Sequence, residues 1–110
     1  MTQLMLIRLA AGSDLVEGVE AEARALGVAD GLVRGGPGSL MRACVQTGEK
    51  HVDVAGPAAE ILTMVGEIAS GVADLHGTVG DPEGRVFGGR FVRGRNPVCI
   101  TVELAIEHET

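Results

Sequence analysis

Beyond residue 27 the apolar residues of this chain never settle again into a sustained helical period. They come in short runs and two-residue alternations, cut by glycine and proline. A chain built this way has one helix early and a long succession of strands, which is an α+β domain rather than an alternating α/β one. The helix is expected from about Asp14 to Leu26. Ser13 offers a cap, Asp14 and Glu17 favour its positive end, Leu15, Val19 and Leu26 recur at roughly helical spacing, and Gly27 is a natural stop.

A first strand precedes the helix at Gln3 to Ala10, apolar except for Arg8. Leu32 to Arg34 starts a second strand that Gly35-Gly36-Pro37-Gly38 breaks, and Leu40 to Thr47 resumes it. Lys50 to Val54 alternates as an edge strand would. Ala59 to Ile68 has some helical propensity, but its Ile61-Leu62-Thr63-Met64-Val65 centre is short, ends at Gly66 and runs into another β-like segment, so it reads as a strand. Val72 to Val79, Arg85 to Val92 and Val98 to Ile106 complete the set. In the last of these Val98, Ile100, Val102, Leu104 and Ile106 share one face. One domain over residues 1–106 with a frayed tail at 107–110 is expected.

The interior must be assembled from many small contacts, because Trp and Tyr are absent and Phe occurs twice. A net charge of -6 argues against a sequence-independent grip on nucleic acid, which relies on Lys and Arg displacing phosphate counterions. Cys44 and Cys99 fall within strands without metal-ligand spacing and read as buried free thiols. No secretory signal precedes the first strand, and no apolar run approaches the roughly 18 residues needed to span a bilayer. The expected location is the cytoplasm, away from membranes. Gly35-Gly36-Pro37-Gly38-Ser39 lacks the Lys and Ser/Thr of a phosphate-binding loop and reads as a close backbone approach. His51 and His108 read as surface residues, and the methionines as core filler.

Several landmarks occur together and in order: Arg8 in the first strand, Gly38-Ser39-Leu40, Glu60-Ile61-Leu62 leading to Gly66, Leu75-His76, Gly84-Arg85-Val86, Gly88-Gly89 and Glu103 in the terminal strand. Over nearly the whole chain, from about Leu4 to Ile106, this order resembles the plants-and-prokaryotes conserved domain. That domain accompanies AT-hooks in plant nuclear proteins and stands alone in many prokaryotic chains. The resemblance implies a twisted, largely antiparallel sheet packed with a helix and, in prokaryotic members, a homotrimer with pockets between subunits. No Arg-Gly-Arg-Pro hook is present; Arg93-Gly94-Arg95-Asn96-Pro97 comes near it but lies between two expected strands.

The resemblance also implies a metal signature, His-x-His followed by Gly-Gly-His. In this chain those positions read Asp74-x-His76 and Gly88-Gly89-Arg90, a degenerate metal site. On a strand, Asp74, His76 and Thr78 share one face. Arg90 has no lone pair to donate, so no cofactor is expected, and a zinc ion on Asp74 and His76 is the lesser alternative. Arg90 could instead clamp a carboxylate or phosphate, with His76 as general acid or base oriented by Asp74, and with Glu60 and Glu103 as supporting ligand-binding groups. Under the blander alternative Asp74 and His76 are ordinary polar residues, and Arg90 pairs with an acid such as Glu60 or Glu103. Arg85, Arg90, Arg93 and Arg95 concentrate positive charge in one hairpin, placed to guide an anion or to meet acidic surfaces of neighbouring subunits. The expectation is a homotrimer binding a small anionic ligand between subunits. The alternative is an oligomeric interaction or regulatory scaffold without catalysis.

Overall fold

The computed structural model describes residues 1–110. Its one helix, α1 (Leu15–Ala25), is capped by Asp14 rather than by Ser13, through a hydrogen bond from the Glu17 backbone N–H to Asp14 Oδ2 at 3.0 Å. Gly27, at φ +75°, ends the helix as its position suggests. Eleven residues are too few for a stable isolated helix, so α1 depends on what it buries. Leu15, Val19 and Ala23 form an i, i+4, i+8 stripe with at most 1% exposure, and each of the larger two contributes about 1.5–3 kcal/mol by leaving water. Leu26, expected on this stripe, is 41% exposed.

Eight strands surround the helix in sequence: β1 (Thr2–Ala10) before it, then β2 (Gly31–Leu40), β3 (Ala43–Thr47), β4 (Lys50–Val54), β5 (Ala59–Ala69), β6 (Val72–Gly80), β7 (Val86–Phe91) and β8 (Val98–Glu109). They form one sheet in the order β1-β8-β2-β5-β6-β7-β3-β4, with every neighbouring pair antiparallel. The α+β architecture is the one expected: a helix packed on a largely antiparallel sheet. The helix contacts β1, β6 and β8, and the buried residues Val33, Leu75, Val79, Val102 and Ile106 lie on the face it covers. No helix is long and apolar enough to cross a membrane.

Three local expectations are corrected. The glycine segment does not break β2, which continues through it with register shifts between Gly35 and Gly38 and between Gly38 and Leu40. A Cβ on Gly35 would meet Met64 Cβ at 2.6 Å, and one on Gly36 would collide with the Glu103 carbonyl oxygen, so glycine is what lets β5 and β8 close on this bulge. Ile100 does not join the core and is 72% exposed, because four residue steps of β8, from Val98 to Val102, face two steps of β2, from Leu40 to Gly38. Finally, β8 runs to Glu109, paired across from Thr2, so Glu107 to Glu109 belong to the sheet rather than to a tail.

Candidate functional site

The face of the sheet opposite α1 has no covering element. Its strand register sets out a continuous row of facing residues: Leu6, Ala105, Arg34, Val65, His76, Arg90 and Gln46, each the cross-strand partner of the next. Leu6 is 83% exposed and Val65 62%, with Leu4 and Leu32 also exposed one row away. His76 and Arg90 are therefore direct neighbours on β6 and β7, and Asp74 stands two residues along β6 on the same face.

The three side chains meet at one atom. Asp74 Oδ1 lies 3.2 Å from His76 Nε2 and 3.0 Å from Arg90 Nε. Both contacts are at ion-pair distance, but neither has the angles of a hydrogen bond, so Oδ1 is enclosed between two cationic or potentially cationic groups without being hydrogen-bonded. All three side chains remain about half exposed. Arg90 Nη1 and Nη2 make no hydrogen bond within the chain, which leaves the outer edge of the guanidinium free. His76 turns Nε2 to Asp74, and its Nδ1 makes no hydrogen bond within the chain.

Glu60 and Glu103 stand apart from this cluster. Glu60 lies on β5 opposite Gly80, seven residues from the partner of Asp74, or roughly 20 Å along the strand. Glu103, on β8, pairs with Arg8 at 3.1 Å, and β2 and β5 separate its strand from β6. The acidic partner of Arg90 is Asp74, not either glutamate. The basic hairpin is likewise neutralised from within: Arg85 pairs with Asp81 and Glu83, Arg93 with Glu20, and Arg95 with Asp53.

Arg93 and Asn96 have structural roles that sequence reasoning missed. Arg93 grips both carboxylate oxygens of Glu20 on α1, and Glu20 Oε2 also accepts the Ala73 backbone N–H at 2.8 Å. The Arg93 hydrogen bonds hold the Glu20 carboxyl below its ordinary range, against the opposing effect of burial. Asn96 is fully buried: its side chain accepts from Cys44 N and donates to the carbonyls of Cys44 and Val92. Its backbone N–H donates to Asp14 Oδ1, so one aspartate both caps α1 and holds this loop. The Asn-Pro pair marked a turn, but nothing in its type showed that the asparagine points inward. Cys44 is a buried free thiol as expected, raised in pKa chiefly by burial, whereas Cys99 is free and only partly buried.

A family model described as the Plants and Prokaryotes Conserved (PCC) domain matches residues 1–109. The chain belongs to this family. Among solved structures, the same fold recurs in a hypothetical protein from Salmonella cholerae-suis, 22% identical with a TM-score of 0.86, covering 98% of this chain and 78% of that one. A plant- and prokaryote-conserved protein from Pyrococcus horikoshii is 20% identical with a TM-score of 0.80, covering 98% and 80%. A metal-containing protein from Archaeoglobus fulgidus is 20% identical with a TM-score of 0.75, covering 96% and 78%. At these identities the likeness shows the fold alone. No curated protein matches the chain.

The donors present in this PCC domain do not fit a bound metal. Asp74 and His76 supply two ligand groups, the third neighbour is a guanidinium, and no cluster of three His, Cys, Asp or Glu residues has the geometry to hold an ion.

Proposed function

We propose that the chain forms a homotrimer that binds a small anionic molecule, a carboxylate or phosphate, at the Asp74, His76 and Arg90 corner between subunits. The observation that carries this reading is the free outer edge of Arg90. Asp74 faces Nε and orients the guanidinium, while Nη1 and Nη2 remain available for two parallel hydrogen bonds to an anion. His76 beside it is placed to exchange a proton with such a ligand. The principal clefts of the single chain, including one of about 590 Å³ bordered by Arg8, Arg34 and Glu103, leave the corner out. A wall for it must come from another copy. The exposed Leu4, Leu6, Leu32 and Val65 on the same face give such a copy apolar surface to cover. Glu60 and Glu103 would join the pocket only from a neighbouring subunit.

Calorimetric titration with phosphate and citrate tests the clamp. Wild type is expected to bind at least one of these anions and Arg90→Ala to lose roughly tenfold or more in affinity, since hydrogen bonds to charged groups contribute about 1.5–3 kcal/mol. Equal binding by the two proteins removes the clamp. A second reading, an interaction or regulatory scaffold without catalysis, is favoured by the same apolar face. It predicts assembly with no anion affinity.

A further inference from the structure

We infer that Arg90 is itself the resident cation of this corner, so that the site needs no metal, and that this single residue is what keeps a divalent ion out. Asp74 Oδ1 is enclosed between Arg90 Nε at 3.0 Å and His76 Nε2 at 3.2 Å. That is the place where an ion shared by the carboxylate and the imidazole would have to sit. A fixed guanidinium charge already holds the oxygen there, and it offers no lone pair to an incoming ion. A divalent cation would have to displace Nε, accept only two protein ligands and lie against a positive charge.

The register makes the converse equally specific. Arg90 is the direct cross-strand partner of His76, and directly opposed residues on one face have Cβ atoms roughly 4.5–5.5 Å apart. An imidazole at that position reaches the same point as His76 and Asp74, giving two nitrogens and one carboxylate oxygen with an open fourth position, a donor set suited to zinc or cobalt. Arg90→His is then sufficient to convert a guanidinium-filled corner into a metal site. This inference concerns the cation alone and does not depend on whether an anion binds.

Cobalt(II) titration followed by visible absorption tests it on wild type, Arg90→His, and Arg90→His combined with Asp74→Ala, with circular dichroism confirming the fold of each. Wild type is expected to show no tetrahedral cobalt bands. Arg90→His is expected to take up one ion per chain, and the double variant to lose it. Loss of an outer-shell partner alone weakens metal affinity by roughly 10–100-fold, so gain of a ligand should strengthen it at least tenfold over wild type. One cobalt per wild-type chain with tetrahedral bands would overturn the inference, as would a folded Arg90→His protein that binds no better than wild type. Phosphate and citrate titrations of wild type report on the anion reading separately, so either idea can fail without the other.

Discussion

Asn96 sits fully buried where the β7–β8 loop meets β3, and its amide answers both the N–H and the carbonyl of Cys44. Asn96→Ala leaves the Cys44 N–H in the interior without a partner, while the Cys44 carbonyl keeps the Val92 N–H at 3.0 Å, and one such unpaired group costs about 1–3 kcal/mol. Urea denaturation should register a loss of about 1–3 kcal/mol with little change in the denaturant slope. Glu20 makes a second prediction at this scale. Its folded-state pKa lies below its unfolded value, so its stabilisation is complete above the ordinary carboxylate range and disappears as pH falls through the folded-state value. Glu20→Gln should therefore lower stability at neutral pH and flatten this part of the acid-side decline. Melting temperatures measured across that pH interval check both effects. Neither residue announced itself in the sequence. A glutamate on a helix and an asparagine before proline are ordinary surface types, and only the tertiary contact turns them inward. The pairing of Asp74, His76 and Arg90, by contrast, could be anticipated, since strand alternation places the first two on one face and a hairpin brings the third opposite.

Strands β2 and β8 show how far periodicity reads and where it stops. The alternation of β8 puts Val98, Val102, Leu104 and Ile106 inside as expected, yet Ile100 points out, because a bulge is a property of two strands together and leaves no mark in one of them. The same bulge carries Gly35 and Gly36 through β2, where glycine suggested a break. Gly36→Ala should be destabilising by about 1–3 kcal/mol, since its methyl group meets a backbone carbonyl that cannot swing aside. Alanine at Gly27 carries no such contact and would test only the left-handed backbone conformation, at a smaller cost. Thermal unfolding of the two variants separates close packing from conformational strain.

At the scale of the whole molecule, one face of an eight-stranded sheet is packed and the other is open, with charged pairs such as Arg8–Glu103 and Arg34–Glu107 set among exposed leucines and valine. A charge placed at the centre of that surface, as in Val65→Asp, should dissociate an assembly built on it while leaving the fold intact, because the position is exposed in the single chain. Sedimentation velocity would show a shift to monomer, and an unchanged sedimentation coefficient would locate the subunit contact elsewhere. The sheet order could not be read from the sequence, for alternation identifies strands but not their neighbours. The pairing of β1 with β8 has its own bearing on how the molecule forms. During synthesis β1 and α1 leave the ribosome ahead of the rest of this domain, yet the hydrogen-bonding partner of β1 is the domain's last strand. Its leucines wait beside unpaired backbone until about ninety further residues have been made, the arrangement that slows folding to milliseconds or seconds and makes the unfinished chain the aggregation-prone species.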